Sequence, residues 1–355
     1  MSKLAGAAAS AILVILSAFA VLAETADVAA LKARKAALEQ ELAEVNAALT
    51  AAGEPVAAAA GQPEALIAYT TDETGLIYAG VIEIGAGMTF AACAGCGDKL
   101  DDRRYPELAG AARANIPLAD AIALQLDLGG WSAFTDRGEY PKDPGEDNLT
   151  TLFEGAAHLA WRDPTTGAAG VFGQLGSVSA GENVNANYYA LGVEGQYYLD
   201  AVTLYGQAGG FIADDEAERD VLTDAYFARG VVRWYPSDRL RLQAEAAYFE
   251  GEEKSDAFSL DDADFSGGAW GLRADYRLPN RPFNLFAAYD GVFVAADRDE
   301  DFSIGNQDYK DHRVMIGASI PFGGGSQKAH DRQGVAFDTA PVGRWIGPSL
   351  EIIDD

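Results

Sequence analysis

Cysteine, histidine and positive charge are scarce in this chain. It has two cysteines in 355 residues, too few for a disulfide-built fold or a thiolate zinc site. The three histidines, His158, His312 and His330, lie far apart and show no metal-ligand spacing. Basic residues number 26 against 54 acidic ones, a formal net charge of −28. Such a balance excludes nucleic acid as a partner, because phosphate binding needs a basic surface. Long apolar runs are also missing after the first 23 residues. No later stretch offers the roughly 20 apolar residues that a helix needs to cross a bilayer.

The opening stretch, MSKLAGAAASAILVILSAFAVLA, has Lys3 near its start and an apolar run from Ala11 to Leu22. Val21-Leu22-Ala23 then fits a signal-peptidase site, so 1–23 reads as a cleaved secretory signal. A chain exported in this way either stays soluble or crosses a membrane as a β-barrel, the other architecture that satisfies every backbone group.

Residues 24–52 are rich in Ala, Glu, Leu and Lys. Val28, Leu31, Lys35, Leu38, Leu42, Val45 and Leu49 step by three and four, a heptad seam with one polar position. The pattern predicts a helix that either pairs as a short coiled coil, making a homo-oligomer through 24–50, or lies on another surface. Residues 53–74, which include GEPVAAAAGQP, form a linker.

From residue 75 to 322 the texture changes to alternation, with frequent Gly and Tyr. About twelve strands are predicted, many of them twelve or more residues long, where soluble strands usually have five or six. The connections alternate in length. Short ones such as LAD, DPTTG and PSD interleave with long polar ones such as CAGCGDKLDDRRYP and DRDEDFSIGNQDYKDH. An up-and-down meander with two unlike ends follows, and transmembrane barrels are built that way. An even strand count puts both chain ends on the short-turn side, so 323–355 is expected to be a periplasmic tail.

The two faces of each strand support this. Tyr189 and Tyr197 stand eight residues apart on one face, as do Phe153 and Trp161, and Tyr226 and Trp234. Eight tilted residues rise roughly 20 Å, close to the height of an apolar band edged by aromatic girdles. Trp270 and Tyr276 line a further outward face. The opposite faces carry charge: Arg229, Arg233, Arg241, Arg273 and Arg277, with Glu194, Glu245 and Asp275 facing them, and Asp127 and Glu154 on earlier strands. A soluble β-sandwich also alternates, but its aromatics would not gather at strand ends, and its core would not be built from so much Ala and Gly.

With these features the chain resembles Gram-negative outer-membrane β-barrel proteins of the porin-like class. HRVMIGASIPF, His312 to Phe322, is similar to the closing strand of such barrels. The chain departs from that pattern by continuing for more than thirty residues. The resemblance implies an all-β, antiparallel transmembrane barrel in the outer membrane. Its partners would be outer-membrane lipid and lipopolysaccharide, with small solutes passing through a charged lumen. The alternative is a non-conducting structural barrel with a periplasmic tether.

Other chemistry is thinly represented. Cys93 and Cys96, in C-A-G-C, suit a local disulfide, with surface redox or metal capture as alternatives. Asp297, Asp299 and Asp301 echo a calcium loop but meet Phe302 where the turn demands Gly, so no metal site is assigned. His158 points to the lumen, as does Ser319. With no Ser–His pair on one outer face, no enzyme activity and no cofactor are expected.

Overall fold

A computed structural model describes residues 40, 78–94, 103–134, 149–180, 184–215, 221–254, 263–279, 281–297, 307–323 and 325–346. The chain divides into two units, Met1–Glu64 and Ala65–Asp355. Of the first, only Gln40 is described, and it is helical. The signal sequence, the rest of the heptad segment and the linker as far as residue 74 therefore lie outside the described residues.

The second unit is a closed barrel of twelve antiparallel strands, each hydrogen-bonded to its sequence neighbours, with the last closing on the first. The strands are β1 (Ala79–Ala94), β2 (Arg103–Ala119), β3 (Ile122–Phe134), β4 (Leu149–Asp163), β5 (Gly167–Ala180) and β6 (Val184–Leu199). They continue as β7 (Val202–Asp215), β8 (Val221–Ser237), β9 (Leu240–Lys254), β10 (Ala263–Arg277), β11 (Asn284–Asp297) and β12 (Gln307–Phe322). Closure removes every sheet edge, so no backbone donor or acceptor need face lipid. The seam is complete: β1 and β12 pair from Gly80 with Phe322 to Ala94 with Asp308.

Alternation sorts the side chains. Tyr189, Leu191, Val193 and Tyr197 face out and are 57 %, 71 %, 59 % and 60 % exposed. In a soluble protein such a wall would aggregate; in a bilayer it is the solvated face. Phe153, Trp161, Tyr226, Trp234, Leu272 and Tyr276 also project outward and are exposed. Trp270 shares that outer face but is half-buried, packed against Phe293 at 6.5 Å. The chain is thus an outer-membrane-type β-barrel, and the buried half of its alternation lines the lumen.

About eight strands make a barrel that wall side chains alone can fill; twelve enclose more space. Here the space is taken by the chain's own C-terminal segment. Gly323, at φ +79°, turns the chain inward just after β12. A Cβ there would lie 2.5 Å from the Tyr78 carbonyl oxygen, so the turn needs glycine. Ser326 then caps a short turn, Gln327–Ala329, its Oγ accepting from the Ala329 N–H at 3.0 Å. A π-type turn follows at His330–Gly334, then an extended run, then one helical turn at 342–346. The expectation of a periplasmic tail over 323–355 is corrected for 325–346: this stretch lies inside the barrel. Val342, Trp345 and Ile346 are fully buried there.

Candidate functional site

The site is the lumen with its occupant. Three layers hold the segment, beginning at the short-turn rim. There Gln327 N–H donates to the Asp238 carbonyl at 3.0 Å. The Arg332 guanidinium donates to the carbonyls of Leu199, Asp200 and Val202 around one short turn. It also lies over the Tyr198 ring, 4.8 Å from its centroid. Leu199 ends β6, Asp200 lies in the turn and Val202 begins β7, so these are rim carbonyls that water would otherwise serve. His330 is buried against β1, its Nε2 3.1 Å from the Gly80 carbonyl oxygen, and burial pushes its pKa down to about 4.

The middle layer is ionic. Asp331 accepts from Arg233 at 2.5 Å and from the Tyr235 hydroxyl. Asp338 accepts from Arg233 at 2.7 Å and Arg113 at 2.9 Å, with Arg229 at 3.5 Å. Because β2 and β8 stand across the lumen from each other, Asp338 bridges opposite walls. Nearer the outer end, Arg344 reaches Asp311 at 2.8 Å and Asp290 at 3.3 Å. Buried charges are tolerable when paired in this way and costly when one partner is removed.

Amides from the wall serve the irregular backbone between these charges. Gln125 accepts from the N–H groups of Ala336 and Phe337 at 3.0 and 3.1 Å and donates to the Phe337 carbonyl at 2.8 Å. Gln196, Gln207 and Gln174 donate to the carbonyls of Ala336, Asp338 and Ala340 at 2.6, 2.9 and 2.8 Å. An extended segment with no strand beside it must find partners somewhere, and glutamine, which both donates and accepts, supplies them. Phe337 is clasped by His158, stacked at 5.7 Å, and by Arg162, 5.2 Å from its centroid. His158 is itself held between Glu194 at 2.8 Å and Asp127 at 3.5 Å.

The outermost layer is apolar. Trp345 stacks on Phe249 at 5.0 Å, meets Phe227 edge-on at 5.0 Å and lies 6.2 Å from Phe211. Leu152, Val178, Phe265, Val292 and Ile346 join this cluster. Water reaching the outer end of the lumen therefore meets a packed hydrocarbon and ring layer.

The residues predicted from sequence to line the lumen occupy defined places in it. Arg229 pairs with Glu245 at 2.5 Å, Arg241 with Asp275 at 2.9 Å, and Arg273 with both Glu83 and Asp275 at 2.5 and 2.8 Å. Glu194 does not face an arginine: it binds His158, Tyr205 and Gln207. Glu154 accepts from Tyr188 at 2.6 Å and Gln174 at 3.1 Å. Arg277 has no carboxylate partner among the described residues; it donates to Asn284 at 3.3 Å and to the Gly325 carbonyl. Cys93 lies at the outer end of β1, and Cys96 lies outside the described residues, as do the calcium-like acidic positions Asp299 and Asp301. Sequence reasoning missed the segment's own residues, Asp331, Phe337, Asp338, Arg344 and Trp345, and the wall residues Arg113 and Arg162 that serve them.

The segment does not fill everything. A cavity of about 300 Å³ remains beside it, lined by Glu83, Arg113, Arg241, Arg273, Asp290 and Arg313 among others. Acidic and basic groups alternate around it in salt-bridged pairs, giving a strong local field without a net sign.

No protein-family model matches this chain, and no curated protein is similar to it in sequence. Solved structures do resemble it in form. A KdgM porin in complex with disordered oligogalacturonate aligns over 67 % of this chain and 99 % of its own, at 9 % identity and a TM-score of 0.37. The COG4313 outer membrane channel from Pseudomonas putida F1 covers 71 % of this chain and 99 % of its own, at 13 % identity and a TM-score of 0.44. The translocator domain of the autotransporter NalP from Neisseria meningitidis covers 68 % of this chain and 88 % of its own, at 13 % identity and 0.42. The likeness is one of barrel form alone, and no residue's role is taken from it.

Proposed function

We propose that this protein is an outer-membrane barrel held closed at rest by its own C-terminal segment. One observation carries the reading: residues 325–346 lie in the lumen, bonded to its wall at every level and capped by the buried Trp345 cluster. A diffusion pore keeps a continuous wet path. In this barrel the ionic layer binds the segment, and the Trp345 cluster packs over it. Of the arginines expected to face solutes, Arg229, Arg233, Arg241 and Arg273 spend their charge on carboxylates of the wall and of the segment, and Arg277 donates to Asn284 and the Gly325 carbonyl. Passage of small hydrophilic solutes then requires the segment to withdraw, and the wall it would leave behind is charged and polar.

A second reading, an open porin for small solutes or ions, is favoured by the cavity beside the segment. The two readings separate in a planar bilayer. The mature chain is refolded in detergent and compared with a chain ending at Gly323. Closure predicts a silent mature protein and discrete current steps from the shortened one, both showing the heat-modifiable gel shift of a folded barrel. Equal conductance from the two would overturn closure in favour of the open pore.

A further inference from the structure

Arginines are plentiful inside the barrel and rare outside it. Among the side chains described, the strand cations that project away from the lumen are Arg104 on β2 and Lys310 on β12, both exposed. They flank the same strand. Arg104 stands opposite Phe90 of β1, and Lys310 opposite Ala92. Two strand spacings and an offset of two residues put their Cα atoms roughly 12 Å apart, close enough for two long side chains to converge on one group.

The surroundings suit an amphipathic ligand. The Arg104 guanidinium lies 5.8 Å from the Phe90 ring centroid, and that ring is exposed. On the other side, His312 stacks on Tyr289 at 5.9 Å, with Tyr289 Oη 2.9 Å from His312 Nδ1, and meets Trp270 edge-on at 5.5 Å. His312 is ten residues above Phe322 on β12, roughly 25 Å from the short-turn rim, where the apolar band of a barrel gives way to headgroups. Below it Met88, Val314 and Ile316 are exposed and apolar. Among the described side chains, no carboxylate projects outward from β1, β2, β11 or β12. On a chain with a net charge of −28, an anion here meets two cations and no carboxylate among the described side chains of these four strands.

We propose that this face binds the phosphorylated headgroup of an outer-leaflet lipid, with Arg104 and Lys310 holding phosphate. The lipid's chains lie on β1 and β12. The apolar floor running toward the bilayer centre favours a lipid over a free anion, which would have no use for it. Basic side chains at a membrane surface attract anionic lipid additively, and interfacial rings fix the depth.

Native mass spectrometry of the detergent-released mature barrel tests this, with diphosphorylated lipid A, the same lipid A stripped of phosphate, and inorganic phosphate as probes. The wild type should retain the phosphorylated lipid roughly tenfold better than the stripped one, from two surface cations. Arg104→Gln with Lys310→Gln should erase that preference while keeping the heat-modifiable shift; Arg239→Gln, at a short turn, should leave it unchanged. Equal retention of both lipids by the wild type would overturn the proposal even if the double variant failed to fold. An undiminished preference in a folded double variant would do the same. Displacement of the lipid by inorganic phosphate at equal concentration would assign the site to a free anion and reject the lipid.

Discussion

Trp345→Ala is the sharpest probe of the lumen segment. The indole is fully buried and packs against three phenylalanine rings from β7, β8 and β9. Removing a buried Trp costs about 3–5 kcal/mol. At 1.4 kcal/mol per factor of ten, the equilibrium between seated and withdrawn segment shifts by roughly 100-fold to a few thousandfold. The barrel hydrogen bonds do not depend on this residue, so the change should be local. Hydrogen exchange reads it directly, at the amides of Ala336 and Phe337, which Gln125 protects in the seated state. Those amides should exchange at least 100-fold faster in Trp345→Ala, while amides in the β1–β12 seam keep their rates. Trp345→Phe is the control. Among the described residues the indole N–H has no hydrogen-bond partner, so exchanging it for a phenyl ring removes an unsatisfied donor and keeps most of the packing. Its exchange rates should stay within about tenfold of wild type. Unchanged exchange at Ala336 and Phe337 in Trp345→Ala would refute the argument that this cluster seats the segment.

Asp338→Asn removes the charge shared by Arg113, Arg229 and Arg233, and breaking a buried pair costs about 3–5 kcal/mol; the segment should become cleavable by trypsin at Lys328 and Arg332. His330, held down to about 4, is neutral when seated. Its contribution is fully present above the unfolded value near 6.5 and is lost as pH falls from there toward 4, reaching about 2 kcal/mol at pH 5. The protection factors of the segment amides, taken relative to intrinsic exchange at each pH, should therefore fall between pH 7 and pH 5, and His330→Gln should flatten that dependence. Leu191→Arg places a cation on the most exposed apolar position of β6; it should cost about 2–4 kcal/mol in lipid vesicles, seen as a lower urea midpoint. No loss there would argue that this face does not meet hydrocarbon.

Much of the barrel was legible because a period of two repeated over long strands leaves few alternatives. The Tyr189–Tyr197 and Tyr226–Trp234 pairs mark the outer face in the sequence itself, and the arginine rows mark the inner one. The segment was not legible for a physical reason. Its buried residues, Val335, Phe337, Val342, Trp345 and Ile346, follow neither a helical nor a strand period, because an irregular chain in a polar lumen is held by groups from the wall. The signal lay on the other side of the contact. Gln125, Gln174, Gln196 and Gln207 all face inward from β3, β5, β6 and β7, a concentration of amides with no ladder of their own to complete. Together with Asp338 and Trp345 in an otherwise polar tail, they point to backbone threaded through the lumen.

The closing strand and the segment after it do separate jobs. Phe322 pairs with Gly80, and the seam above it is continuous, so closure of the wall uses no residue beyond Phe322. The segment, by contrast, draws its partners from β2, β3, β5, β6, β7, β8, β9, β11 and β12, and these converge only once the barrel has closed. The segment's full set of partners therefore exists only in the closed barrel. This explains the chemistry of the wall: its glutamines and arginines serve the segment's carbonyls and carboxylates, groups that the strands' own ladders leave unserved. Gly323 marks the boundary between the two jobs, where the chain leaves the sheet and turns inward.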